Sequence, residues 1–143
     1  MDEETDGTRV YVDMVGDLFH AGHVALLREA RRHGDRLVVG VLSDETAAAY
    51  KRRPIMTLAE RVAVIEACRW VDEVVPDAPF EVTREFLDVH AITTVAHGDD
   101  LSPEGAASIY GPAVADGRYV AVPRASGLST TEVIRRVRAA ADD

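Results

Sequence analysis

The sequence predicts a doubly wound α/β domain: a parallel sheet with helices on both faces. Three observations predict it. Residues 37–42 (LVVGVL) form a near-continuous apolar run, the character of a strand buried on both faces. Amphipathic segments alternate with such runs, the first over residues 24–33. The order strand, helix, strand then repeats, and such crossovers imply parallel pairing.

Taken in order, residues 9–13 (RVYVD) read as the first strand, followed by a turn holding Gly16 and Gly22. Val24, Leu27 and Ala30 fall at helical spacing among Arg28, Arg31 and Arg32, and Gly34 is a C-terminal stop. After the strand at 37–42, Pro54 makes a loop of residues 50–56. A second helix spans 57–69, with Thr57 as N-cap and Glu60 completing a capping box. Leu58, Val62, Ile65 and Cys68 form its inner stripe. Residues 73–75 read as a strand, 82–90 as a helix, 93–97 as a strand, 101–111 as irregular chain and 119–122 as the last strand. Residues 130–140 close the chain as a helix, with Val133, Ile134 and Val137 inward and Arg135, Arg136 and Arg138 mostly outward. Residues 1–8 form a flexible acidic N-terminus, and 9–140 form one domain. A ligand is expected beyond the carboxyl ends of the strands, where the strand order reverses.

Composition narrows the function. The 143 residues are 47% hydrophobic and 29% charged, which suits a globule with a real core. No apolar run reaches the roughly 20 residues that span a bilayer. Met1–Gly7 lacks the apolar region of a signal peptide. A single cysteine, Cys68, excludes an internal disulfide and fits a cytoplasmic setting. The formal charge is −9, but six acids lie at the two ends, which leaves 19 of the 25 acids against 16 bases. A nucleic-acid partner, which wants a basic face, is not expected.

The segment Asp17-Leu18-Phe19-His20-Ala21-Gly22-His23 lies between the first strand and the first helix. His20 and His23 sit at a helix mouth, where free N–H groups and the dipole favour an anion. Gly22 admits close approach of a ligand. Two imidazoles there can donate to a polyphosphate and to the charge that develops on a phosphorus under attack. Taken alone, the pair also fits ordinary capping or core histidines, or a metal pair three residues apart. Zinc is disfavoured, because Cys68 lies far away in an apolar stripe. Gly127-Leu128-Ser129-Thr130-Thr131 opens the last helix, either as plain caps or as a second phosphate site, with Arg124 upstream. Lys51 is the only lysine among the 16 bases. It stands beside Arg52 and Arg53, either by chance or because a compact ammonium is needed there.

These residues resemble the cytidylyltransferases of the HxGH nucleotidyltransferase superfamily, a Rossmann-like fold. Asp17–His23 carries the HxGH signature. The segment from Arg124 through Gly127 to Thr131 is similar to the family's RTEGISTT segment. Residues 50–57, Glu60-Arg61-Val62, residues 68–75 and His97-Gly98-Asp99-Asp100 resemble ethanolamine-phosphate cytidylyltransferases. The similarity runs from about Val10 to Val137. It implies transfer of CMP from CTP to a small phosphorylated alcohol, phosphoethanolamine-like, or to a phosphonate like 2-hydroxyethylphosphonate, with pyrophosphate released. It further implies Mg²⁺ carried with the triphosphate and a homodimer. By the same resemblance His20, His23, Lys51 and Arg124 are catalytic. Lys51 and Arg61 meet the acceptor, Arg61 having an ion pair with Glu60 as its alternative. Met14, Val15, Gly16, Asp17, Gly22, His97, Asp99, Gly127, Ser129 and Thr130 hold the nucleotide, Asp99 having the capping of 101–111 as its alternative. The family's GxFD is altered here to Met14-Val15-Gly16-Asp17, which changes the loop wall beside the nucleotide. The eukaryotic ethanolamine-phosphate enzymes also carry two such domains, and this chain has one. Adenylyl transfer from ATP, and a nucleotide-binding module without catalysis, are the alternatives.

Overall fold

The computed structural model describes residues 7–123 and 127–142. Along the chain run β1 (Arg9–Met14), α1 (Ala21–Arg31), β2 (Arg36–Leu42), α2 (Asp44–Tyr50) and α3 (Leu58–Glu66). Then come β3 (Glu73–Ala78), α4 (Arg84–Val89), β4 (Thr94–Gly98), α5 (Pro103–Ile109), α6 (Gly111–Ala115), β5 (Tyr119–Val122) and α7 (Thr130–Ala141). The five strands form one sheet in the order β3-β2-β1-β4-β5. All its pairings are parallel.

The apolar runs form strands because both of their faces are covered. Side chains alternate along β1, so Val10, Val12 and Met14 face α1 and α3 with Leu27, Ala30 and Ile65. Tyr11 faces the other way, against Val82, Leu87, Ile92 and Tyr110. Leu58 and Val62 pack beside Ile65 as the helical spacing requires, whereas α3 stops at Glu66, short of the expected 69, and Cys68 joins the same core from the turn beyond it. Thr57 caps α3 with its side chain, and Glu60 returns the bond.

Three segments depart from the sequence-based reading. Helix α2 is unanticipated. It is a seven-residue helix capped by Ser43, too short to show an apolar period, and it takes Tyr50 out of the expected loop. Residues 101–111, expected to be irregular, hold α5, capped by Ser102 rather than Asp99, and the start of α6. Helix α7 forms as expected, but none of its residues is buried, and Val137 is 61% exposed. Val133 and Ile134 are half-buried, so only part of the expected inward stripe is covered.

Candidate active site

The strand order reverses between β1 and β4. Beyond their carboxyl ends lies a cavity of about 470 Å³, open to the mouths of both α1 and α7. This is the crevice in which doubly wound sheets bind ligands.

The chain turns sharply to reach α1. Gly16 has φ +70°, in the left-handed region where only glycine sits without strain. That backbone accounts for the glycine standing where the resemblance leads one to expect an aromatic residue. His20 then caps α1. Its Nδ1 accepts the Gly22 N–H at 2.9 Å, and His23 Nδ1 accepts the His20 N–H at 3.1 Å. This is a reciprocal capping box built from two imidazoles.

The same capping bonds decide where the ring protons sit. A ring nitrogen that accepts a backbone N–H carries no proton, so the proton of a neutral ring sits on Nε2. Both rings hold that tautomer, leaving each Nε2–H as a donor. The rings lie 4.0 Å apart, and Phe19 stacks on His23. Burial above all, then the nearby His20 and Lys51, lower the His23 pKa from 6.5 to about 4, against an opposing pull from Asp17. Burial lowers His20 as well. Two neutral donors at a helix mouth suit a polyphosphate, because they bring hydrogen bonds without needing to shed a proton.

Gly22 has no room for a side chain. A Cβ there would lie 2.6 Å from the Leu128 carbonyl oxygen and 2.7 Å from His20 Cε1. The segment before α7 thus packs directly on the first turn of α1. Ser129 caps α7 by accepting the Glu132 N–H, and Thr130 begins the helix. His20 Nε2 lies 3.2 Å from Thr130 Oγ1, and the Thr130 hydroxyl donates to the Asp17 carbonyl. Two helix mouths meet in one place.

Of the residues expected at the site, His20, His23, Lys51, Met14, Val15, Gly16, Asp17, Gly22, His97, Asp99, Ser129 and Thr130 all line the cavity. Gly127 does not line it. Arg124 lies outside the described residues, as does the acidic stretch 1–6 of the N-terminal segment.

Arg61 requires correction. It is neither an acceptor ligand nor the partner of Glu60. Its side chain is 0% exposed and does not reach the cavity wall. Its guanidinium donates to the carbonyls of Val15, Leu42 and Met56 and to the Asp44 carboxylate. The physical reason is that a fork of N–H groups satisfies several carbonyls left unpaired where β1 and β2 end.

Sequence reasoning missed the cavity floor. Asp13, on the Tyr11 face of β1, accepts the Tyr110 hydroxyl at 2.6 Å. Burial raises the Asp13 pKa, against the Tyr110 hydrogen bond and His97, which pull it down. Burial and Asp13 in turn raise the Tyr110 pKa. Tyr50 and Phe80 lie 4.9 Å apart and line the cavity too. An acid closing an apolar strand was the available signal for Asp13. Nothing local marked Tyr110, 97 residues away.

The profile of the cytidylyltransferase-like family matches residues 16–136. Ethanolamine-phosphate cytidylyltransferase of Arabidopsis thaliana is 42% identical over 135 residues, covering 90% of this chain and 32% of that protein. Choline-phosphate cytidylyltransferase A of Homo sapiens is 38% identical over 146 residues, covering 96% of this chain and 40% of that protein. The chain thus spans about a third of the length of the curated relatives it matches. Among solved structures, a lipopolysaccharide core biosynthesis protein from Thermoplasma volcanium GSS1 superposes with a TM-score of 0.67 at 26% identity. That match covers 86% of this chain and 99% of that one.

Proposed function

This chain belongs to the cytidylyltransferase-like family, and on that premise we propose that it transfers CMP from CTP to a small phosphorylated two-carbon alcohol or the matching phosphonate. The observation that carries the proposal is the convergence of two helix mouths, α1 and α7, on one cavity with His20, His23 and Thr130 between them. A triphosphate needs several donors at one place, and this is where the chain gathers them.

In the proposed reaction an oxygen of the acceptor's phosphate or phosphonate attacks the α-phosphorus of CTP. That P–O bond forms as the α-phosphorus to bridging-oxygen bond breaks, and pyrophosphate leaves with the bridging oxygen. The attacking oxygen is already anionic, so no side-chain nucleophile or base is required. The protein's part is positioning and charge stabilisation. The Nε2–H groups of His20 and His23 meet the phosphates and the charge that grows on them. Lys51 draws the acceptor's anion and the α-phosphate together. The floor formed by Asp13, Tyr110, Tyr50 and Phe80 receives the acceptor's short arm. The names of the relatives, ethanolamine-phosphate and choline-phosphate cytidylyltransferases, support an acceptor of this size.

Mg²⁺ would enter with the nucleotide. No grouping of three or more His, Cys, Asp or Glu suited to a metal occurs among the described residues. Carried by the triphosphate, the ion would supply positive charge to neutralise the leaving pyrophosphate. A homodimer remains part of the proposal, with sedimentation as its measure.

Phosphorus NMR tests the reaction. Phosphoethanolamine, phosphocholine, glycerol 3-phosphate and 2-hydroxyethylphosphonate are each supplied with CTP and Mg²⁺, and in parallel with ATP. Pyrophosphate and a CMP-linked anhydride are expected with CTP and a two-carbon acceptor. Turnover with ATP alone would make the chain an adenylyltransferase, and no turnover with either nucleotide would make it a binding module.

A further inference from the structure

Asp17 is buried, 4% exposed, and both of its carboxylate oxygens are turned toward a loop 38 residues away. Oδ2 accepts the Ile55 N–H at 2.9 Å, and Oδ1 accepts the Met56 N–H at 3.0 Å. The Met56 carbonyl is held from the other side by the Arg61 Nε–H at 3.1 Å. Met56 is thus gripped at both its backbone N–H and its carbonyl, by a buried carboxylate and a buried guanidinium. The backbone carbonyl of Asp17 also takes the Thr130 hydroxyl, which faces His20 Nε2. One residue therefore joins the 51–56 loop to the mouths of α1 and α7.

We infer that Asp17 is a positioning residue that fixes the loop carrying Lys51, and so sets where the lysine ammonium meets the acceptor, rather than a group that touches the nucleotide. The inference rests on the transfer reaction proposed above. Lys51 is the C-cap of α2, and Arg52, Arg53 and Pro54 alone separate it from the gripped Ile55. Pro54 fixes its own φ, so little slack lies between the grip and the lysine. With the Ile55 end released, the stretch would be held only through α2, and about an ångström of added freedom at the ammonium is enough to cost a large share of the rate. Using both oxygens for two consecutive N–H groups is the arrangement an acid at position 17 supplies and an amide does not. An asparagine would oppose one of the loop N–H groups with its own N–H.

The test reads the loop directly. Lys51 and Arg52 are both trypsin sites within it, whereas the Arg53–Pro54 bond resists the enzyme. For Asp17→Asn, cleavage after Lys51 and Arg52 is expected to quicken by about tenfold or more, as the loop opens more often. KM for the acceptor should rise and kcat fall together, while CTP affinity by calorimetry should stay within about threefold. Met56→Pro removes one loop donor and leaves Asp17 in place. It should move the same readouts in the same direction by less, and it decides the matter if Asp17→Asn does not fold. Unchanged cleavage in both variants overturns the inference. So does lost CTP affinity with the loop as protected as before, which would make Asp17 a nucleotide ligand. If the wild-type protein turns over no acceptor, the proposed function fails, yet the proteolysis arm still reports on the brace.

Discussion

His20 and Thr130, 110 residues apart, lie within hydrogen-bonding distance, Nε2 to Oγ1 at 3.2 Å. The bond joins the first turns of the first and last helices across the mouth of the cavity. With His20 Nδ1 engaged by its own helix, the Nε2–H is the one donor the ring has left, and a phosphate would take it over from Thr130.

The first prediction separates capping from catalysis. An asparagine oxygen stands near the place of an imidazole Nδ1, so His20→Asn and His23→Asn keep the cap and lose the Nε2–H donor. Each should lower turnover by about two orders of magnitude or more, as lost transition-state donors do. Stability should barely change. The alanine variants should be as inactive and also lose about 1 kcal/mol, the worth of a cap. Steady-state kinetics beside urea denaturation reads both effects, and near-normal turnover in the asparagine variants would remove the donors from the mechanism.

The second concerns acid. His23 titrates near 4 when folded and near 6.5 when unfolded. Above about pH 6.5 neither state holds the extra proton. Between the two values the unfolded chain takes it up and the folded chain does not, so stability falls as pH drops through that window. Urea midpoints followed from neutral pH downward should decline less in His23→Asn than in wild type, with the gap closing toward neutrality. Parallel curves would show that His23 titrates normally.

The third concerns Lys51. If it bridges the acceptor's anion and the α-phosphate, repulsion between them is worst as they close, and much of its effect appears in the transition state. Lys51→Ala should cut kcat/KM for the acceptor strongly. Lys51→Arg should restore only part of it, because a planar fork does not replace a compact ammonium. Calorimetric CTP binding should weaken far less. An exposed charge of no mechanistic use would cost almost nothing in either variant.

The fourth follows from the burial of Arg61. Arg61→Leu strands the Asp44 carboxylate and three carbonyls, and should destabilise the fold by about 3–5 kcal/mol. An acceptor ligand would instead raise KM and leave the denaturation curve in place.

Much of the fold is legible in the sequence, because a parallel sheet writes its strands as apolar runs and its helices as 3.6-residue stripes. The strand 119–122 and the capping box of Thr57 and Glu60 come out as read. Helix α2 does not, since seven residues rich in alanine hold too little pattern. At the site, the histidine pair and Ser129-Thr130 are legible because helix caps are local. Arg61 misleads for the same reason in reverse. Its charge is visible in sequence, but the carbonyls that absorb it come from Val15, Leu42 and Met56, brought together only by folding. The floor escapes detection because the pairing of Asp13 with Tyr110 exists only across the sheet.

The last helix contributes Ser129 and Thr130 to the cavity yet buries none of its own residues. Its place is held chiefly by its first turn, where Leu128 lies over Gly22 and Thr130 reaches Asp17. Amide hydrogens along α7 should therefore exchange with solvent well before those of β1 and β2, whose stability approaches that of the whole domain. A triphosphate that grips that first turn adds to the anchorage, so slowed exchange along the entire helix becomes a gauge of occupancy that needs no turnover.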